Sequence, residues 1–199
     1  MKVLILAGGL GTRISEESHL KPKPMIEIGE MPILWHIMKY YSSYGFHEFI
    51  ILAGYKQYLI KEYFANYFLH NADITFDMSN NQMEVHQNAS ENWKVTVVDT
   101  GLRTMTGGRI RRVRSYLKGE RFMLTYGDGV SDVDLRKLLA FHESAGKTAT
   151  ITTVNLAQQK GVLDLSSDGR IRAFREKEES DGAVINGGFM VFEPGIFDY

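Results

Sequence analysis

The first eleven residues set the strongest constraint on the fold. An apolar run, Val3-Leu4-Ile5-Leu6, leads directly into Ala7-Gly8-Gly9-Leu10-Gly11. A continuous apolar strand of this kind is buried on both faces, and the glycines after it let backbone N–H groups approach a ligand closely and take positive φ. The turn becomes cationic within two residues, at Thr12-Arg13, and is answered by Lys23. Backbone amides with an arginine fork and a mobile lysine ammonium suit a phosphate chain, and the pair fits a triphosphate divided between its α and β phosphates. Two common glycine motifs are excluded. No Gly-x4-Gly-Lys-Ser/Thr string occurs, and the third glycine of a dinucleotide fingerprint is replaced by Ile14. The segment Lys21-Pro22-Lys23-Pro24 predicts an extended, exposed stretch that presents both lysines.

The remaining periodicity alternates strand and helix. Ile33, Leu34, Ile37, Met38 and Tyr41 share one helical face, Gly45 stops that helix, and Phe49 to Ala53 reads as the next strand. A second helix is expected over Gln57 to Phe68, with short strands at Ile74 to Met78 and Val95 to Val98. Further strands follow at Phe122 to Tyr126, Thr148 to Val154, Val162 to Leu165, Ile171 to Arg175 and Val184 to Val191, and a helix runs from Leu135 to Ser144. The stretches Asn80 to Gln82 and Gln87 to Asn92 read as loops. The expected fold is α/β: a Rossmann-like, doubly wound, mostly parallel (mixed) sheet in one domain over 1–199, with added antiparallel strands and with ligands at the carboxyl ends of the parallel ones.

Composition narrows the chemistry. The 199 residues carry a formal net charge of −1, which argues against a nucleic-acid surface. There is no cysteine, so disulfides, thiolate metal sites and thiol nucleophiles are all excluded. No apolar run is long enough to span a bilayer, and the natural expectation is a cytoplasmic enzyme with no membrane partner. The six histidines are scattered without ligand spacing.

Asp128 stands between Gly127 and Gly129 just beyond the strand Phe122 to Tyr126. A carboxylate at a strand's C-terminal edge suits Mg²⁺, which takes one or two carboxylates plus phosphate oxygens and water. An Asp-Gly pair in isolation reads more readily as a turn. Met105-Thr106-Gly107-Gly108-Arg109 is a second glycine turn opening a helix through Ile110, Val113 and Leu117, with Arg111, Arg112 and Arg114 on a solvated face. Asp134 reads as the N-cap of the helix from Leu135.

The string Gly9-x-Gly11-Thr12-Arg13, nine residues, then Lys23 resembles the signature of the sugar-nucleotide pyrophosphorylases. Lys21 to Met25, Ile33 to Met38, Ile60 to Phe68, Met105 to Arg109, Tyr126 to Gly129 and Ile185 to Phe189 extend the likeness, in order, over nearly the whole chain, and are more narrowly similar to the branch of that family that transfers a cytidylyl group to glucose 1-phosphate. The resemblance implies CTP and α-D-glucose 1-phosphate as substrates, CDP-glucose and pyrophosphate as products, and a place in bacterial surface-polysaccharide synthesis. It assigns Arg13, Lys23 and Asp128 to catalysis, with Asp128 as the Mg²⁺ ligand. Leu6, Ala7, Gly8, Gly9, Gly11, Thr12, Thr104, Gly107, Gly108, Arg109 and Gly127 fall to the nucleotide, and Gly161, Glu176, Lys177 and Asn186 to the sugar phosphate. Relatives continue with proline after the Glu-Lys pair, whereas this chain has Glu178, and locally Glu176-Lys177 fits a charged exposed loop as well. Base choice among CTP, UTP and dTTP and a non-catalytic binding role stay open from the residues alone. Relatives also draw a second metal carboxylate and part of their subunit contacts from a C-terminal segment this chain is expected to lack, and a homo-oligomer is among the expectations.

Overall fold

A computed structural model describes residues 1–9, 20–88, 90–156, 162–166, 170–175 and 183–199. The elements run, in chain order, β1 (Lys2–Ala7), β2 (Glu27–Ile28), β3 (Met31–Pro32), α1 (Ile33–Ser43), β4 (Glu48–Ala53), α2 (Gln57–His70), β5 (Ala72–Asp77), β6 (Gln82–Asn88), β7 (Lys94–Asp99), α3 (Thr106–Arg112), α4 (Arg114–Leu117), β8 (Phe122–Tyr126), α5 (Leu135–Ala145), β9 (Ala149–Leu156), β10 (Val162–Leu165), β11 (Ile171–Arg175) and β12 (Ala183–Phe192). Among the described residues no helix is long and apolar enough to cross a membrane.

Six strands form one sheet in the order β7-β4-β1-β8-β12-β9. β7, β4, β1 and β8 are mutually parallel, and β12 is antiparallel to β8. This is the mixed, doubly wound sheet that the alternation of elements predicts. The chain winds outward from β1 to β4 to β7, then returns to lay β8 on the other side of β1. The order therefore reverses between β1 and β8, and an open α/β sheet offers a ligand crevice at the carboxyl ends of the strands at such a reversal.

Period-2 alternation explains why both faces are covered. Val3, Ile5 and Ala7 of β1 join Phe49, Ile51 and Ala53 of β4 beneath Leu34, Ile37, Met38 and Tyr41 of α1, Ile60 of α2, and Leu135 and Leu138 of α5. Leu4, Ile50, Leu52 and Leu124 point the other way, toward Val113 and Leu117. Gly45 ends the first helix as expected, at φ +90°, where its amide meets the Ser42 carbonyl at 2.9 Å. Asp134 caps α5 by accepting from the Arg136 and Lys137 amides.

The chain divides into two compact units, one made of Met1–Thr150 with Phe189–Tyr199 and the other of Ile151–Gly188. The second unit holds β10 and β11, paired antiparallel.

Three local expectations are corrected. Gln82–Asn88 is a strand paired antiparallel with β5, although Gln82 and Gln87-Asn88 read as loop; the turn takes Asn81 to φ 56°, and the register shifts between Asp73 and Ile74. Exposed on both strands, this hairpin leaves no burial pattern in the sequence to reveal it. The lysine–proline segment is not extended, because Lys23–Met25 form one 3-10 turn closed by the Met25 amide on the Pro22 carbonyl at 2.8 Å, with both prolines buried. The helix expected from Met105 through Leu117 breaks at Val113 into α3 and α4.

Candidate active site

A cavity of about 310 Å³ opens at the carboxyl ends of β1 and β8, where the strand order reverses. Leu6, Ala7, Gly8 and Gly9 form one wall, Tyr126 and Asp128 another, Lys23 and Pro24 a third, and Thr104, Met105, Thr106 and Arg109 close it. The structure thus brings together eight of the residues singled out in the sequence: Leu6, Ala7, Gly8, Gly9, Lys23, Thr104, Arg109 and Asp128.

Lys23 reaches this wall because Pro24, in the 3-10 turn, is packed against the turn after β8. The Gly127 amide donates to the Leu6 carbonyl at 2.9 Å, locking the Asp128 turn onto the end of β1. A Cβ on Gly127 would lie 2.8 Å from that carbonyl oxygen and 2.9 Å from Pro24 Cγ. Gly127 therefore stands behind the cavity as the close-approach residue that lets the Lys23 and Asp128 segments touch. Lys23 Nζ lies 3.7 Å from Asp128 Oδ2, a loose pair compared with Lys21 and Glu27 at 2.5 Å. Lys21 is turned away into that surface pair and takes no part in the cavity lining.

Arg109 is buried and directs its guanidinium at the strand ends. NH1 donates to Thr100 Oγ1 at 2.6 Å and to the Ala53 carbonyl at 3.3 Å; NH2 donates to the Gly8 carbonyl at 2.8 Å and to the Leu102 carbonyl at 3.3 Å. Among the described residues no carboxylate pairs with it. Burial, with help from the nearby Arg112 charge, pulls its pKa below the ordinary arginine value. Asp99, which ends β7, accepts the Gly101 amide at 2.8 Å, and that bond with the Gln57 side chain holds its carboxyl below the usual carboxylate range.

Gly107 and Gly108 do not line this cavity. They sit in the first turn of α3 and face a separate depression with Ile110, Arg111, Ile196, Phe197 and Tyr199. In the second unit, Asn186 is exposed and its Oδ1 accepts the Gly188 amide at 2.9 Å, supporting a turn in which Gly188 takes φ +77°. Gly11, Thr12, Arg13, Gly161, Glu176 and Lys177 lie outside the described residues.

Sequence reasoning missed Gly54, Thr100 and Tyr126. Gly54 could have been suspected from its place immediately after an apolar strand, the same context that marks Gly8. Thr100 carries no local signal.

The donor set fits a divalent cation of the magnesium kind. No cluster of three or more His, Asp or Glu side chains that could hold a metal exists among the described residues, and among the described residues lining the cavity the carboxylate is that of Asp128, with Lys23 and Arg109 as the cations. A hard ion that takes one or two carboxylates and completes its shell with phosphate and water suits such a site; an ion needing an all-protein cage does not.

Comparison with known proteins adds a consistent set of likenesses. The family model described as nucleotidyl transferase matches residues 2–199. The chain is 57% identical over 199 residues to a glucose-1-phosphate cytidylyltransferase of Salmonella typhi, covering all of this chain and 77% of that protein. A Bacillus subtilis protein named for the same activity is 46% identical over the same length, again with 77% of it covered. Among solved structures, HddC from Yersinia pseudotuberculosis, also solved in complex with GMP-PN, superimposes with a TM-score of 0.65 at 26% identity, covering 100% of this chain and 79% of that one. UDP-glucose pyrophosphorylase complexed with UDP-glucose, at 17% identity and a TM-score of 0.65, covers 99% of this chain and 77% of its own, and shares the fold.

Proposed function

The chain belongs to the nucleotidyl transferase family, with glucose-1-phosphate cytidylyltransferases among its near relatives, and from that premise we propose that it joins CTP to α-D-glucose 1-phosphate, forming CDP-glucose and releasing pyrophosphate. The full-length likeness to cytidylyltransferases carries this reading and disfavours UTP or dTTP as the natural donor. The cavity at the β1–β8 reversal supports it, being lined by the glycine turn, Lys23 and Asp128.

The nucleophile is already an anion. A phosphate oxygen of glucose 1-phosphate attacks the α-phosphorus of CTP in line, a new P–O bond forms, and the bond to the β-phosphate oxygen breaks, so no base has to remove a proton. The chemical difficulty lies in bringing two polyanions together. In the proposed assignment the Gly8–Gly9 backbone lies against the triphosphate, Lys23 neutralises charge at the α-phosphate, and Arg13 serves the departing pyrophosphate. Asp128 would hold Mg²⁺, which when bound supplies charge neutralisation and orients phosphate oxygens. Glu176, Lys177, Asn186 and the backbone at Gly161 are assigned to the sugar phosphate. By analogy with the deletion of a single transition-state donor, loss of one such cation costs about 3–4 kcal/mol, or roughly 10²- to 10³-fold in rate. A cytoplasmic place and a supply of CDP-sugar for surface polysaccharide accord with this chemistry.

The deciding experiment measures pyrophosphate release with glucose 1-phosphate and each of four NTPs in the presence of Mg²⁺. Preference for CTP is expected. Preference for another NTP would overturn the base assignment, and binding of CDP-glucose without turnover by any NTP would make the chain a binding module.

A further inference from the structure

Arg109 has the residue type of a phosphate grip but the bonding of a strut. An arginine has five N–H groups. Four of them are engaged by Ala53, Thr100, Gly8 and Leu102, leaving only the Nε–H among the described residues for a ligand. The three carbonyls lie at or just beyond the ends of three neighbouring parallel strands: Ala53 ends β4, Gly8 follows β1, and Leu102 lies in the loop after β7. The guanidinium is seated there by the absence of side chains. A Cβ on Gly8 would meet Arg109 NH1 at 2.1 Å, and one on Gly54 would meet it at 2.6 Å. The remaining support is Thr100, fully buried, whose hydroxyl accepts from NH1 and donates to the Ala53 carbonyl at 2.7 Å, so one oxygen joins β7 to β4 and fixes the guanidinium between them.

The consequence for ligand binding follows from peptide geometry. The Gly8 carbonyl and the Gly9 N–H belong to one peptide unit, which is planar and trans, so the two point in opposite directions. Glycine at both positions restricts φ and ψ little, so the unit's orientation is set by what its carbonyl accepts: the Arg109 guanidinium at 2.8 Å and, more weakly, the Tyr55 amide at 3.4 Å. Holding the Gly8 carbonyl toward Arg109 therefore turns the Gly9 N–H away from the strand ends.

We infer that Thr100 and Arg109 are positioning residues for the nucleotide: Thr100 seats the guanidinium, the guanidinium holds the Gly8 carbonyl, and the Gly9 N–H is thereby aimed at the triphosphate. The inference rests on the cytidylyl-transfer reading and assigns to Thr100, which is buried behind the cavity and does not line it, a share in nucleotide affinity.

The test uses Thr100→Val, which keeps the shape and removes the hydroxyl, Thr100→Ser, which restores the hydroxyl, and Arg109→Lys, which keeps the charge and removes the fork. KM and kcat for CTP and for glucose 1-phosphate are measured by pyrophosphate release, with CTP affinity by calorimetry and unfolding by thermal melt. Thr100→Val should raise KM and Kd for CTP about ten- to hundredfold, the range for losing one hydrogen bond to a charged group, and leave KM for glucose 1-phosphate unchanged. Thr100→Ser should return CTP affinity to within about threefold of wild type, and Thr100→Val/Arg109→Lys should be no worse than the weaker single variant, since the two act through one carbonyl. A Thr100→Val protein that melts earlier yet binds CTP normally would overturn the inference. So would normal CTP binding by Thr100→Val beside its loss in Arg109→Lys, which would make Arg109 a direct grip. A wild-type chain indifferent to CTP would instead overturn the cytidylyl-transfer reading itself. Should Thr100→Val fail to fold, Thr100→Ala, which also removes the hydroxyl, carries the same comparison.

Discussion

The two glycines flanking Asp128 should respond to alanine in opposite ways. A methyl on Gly127 would lie 2.8 Å from the Leu6 carbonyl oxygen, 2.9 Å from Pro24 Cγ and 3.3 Å from Pro24 Cβ, whereas a methyl on Gly129 would find no atom within 4 Å. The neighbours of Gly127 cannot yield cheaply. Leu6 lies in β1 between two parallel partners, and Pro24 is a buried ring in a hydrogen-bonded 3-10 turn. The shortfall from ordinary contact is about half an ångström. Overpacking of that kind costs about 1–3 kcal/mol, which in a chain of this size lowers Tm by roughly 3–10 °C. The strain would be relieved most easily by moving the 3-10 turn, which carries Lys23 away from Asp128. A displacement approaching 1 Å at a reacting centre costs on the order of 10²-fold in rate, so kcat for Gly127→Ala should fall about 10- to 100-fold when assayed well below its Tm. Gly129→Ala should keep kcat within about threefold and Tm within about 2 °C, as expected for an exposed surface substitution. Differential scanning fluorimetry and pyrophosphate release at saturating CTP and glucose 1-phosphate would read both quantities. Equal behaviour of the two variants, whether both neutral or both damaged, would refute the claim that Gly127 sets the spacing of Lys23 and Asp128.

Other substitutions probe separate parts of the molecule. Lys23→Met should lower turnover roughly 10²- to 10³-fold with little change in Tm, since its ammonium makes only a loose contact with Asp128 among the described residues; a variant with near-normal turnover would remove Lys23 from the catalytic set. Asp128→Asn should abolish Mn²⁺ binding measured by paramagnetic relaxation in the presence of CTP, and retained binding would move the metal site elsewhere. Asp99 has a folded-state pKa below its unfolded value, so the stability it contributes is present above about pH 4 and is lost as pH falls through the folded value. The stability gap between wild type and Asp99→Asn should accordingly be widest at neutral pH and close in acid, and a gap that widened in acid would contradict the assignment. Glu193 accepts from buried His142 at 3.2 Å and from Arg121 at 2.6 Å. Glu193→Ala should cost about 1–3 kcal/mol by leaving the imidazole N–H unmet, with KM for CTP unchanged, and an unaltered melt would show that the contact is not stabilising.

What the sequence revealed, and what it hid, divides by the range of the interaction. β8 and the strands β10 and β11 are legible to the residue, and α5 to within one, because apolar runs bounded by glycine or aspartate are local signals. β6 was hidden because Gln82-Met83-Glu84-Val85-His86 alternates on an exposed hairpin, where alternation does not mark burial. The cavity residues Gly8, Gly9, Lys23 and Asp128 were legible from short motifs. Thr100 was not, since it reaches the site only through the strand order β7-β4-β1, and that order is not written in any one segment; Gly54 carries a local signal, its place after an apolar strand, but its contact with Arg109 depends on the same order. Arg109 was recognised by type, yet its bonding is set by tertiary contacts with carbonyls as distant in sequence as Gly8, and no local pattern could distinguish a strut from a grip.

The same strand order explains why a cation is needed beneath the glycine turn at all. Parallel strands that stop together expose carbonyl oxygens at their carboxyl ends, and each is a partial negative charge facing the crevice where a ligand must bind. A triphosphate brought there would be repelled unless those oxygens were occupied. Arg109 engages the carbonyls of Gly8, Ala53 and Leu102 together and, among the described residues, forms no ion pair with a carboxylate, so these oxygens are occupied by a cation's donors instead of facing the crevice bare. A lysine could neutralise one carbonyl but could not span three strands, because only the planar fork offers donors in several fixed directions. In a chain whose formal net charge is −1, affinity for a polyanion thus comes from where its cations are held, and the sheet itself does the holding.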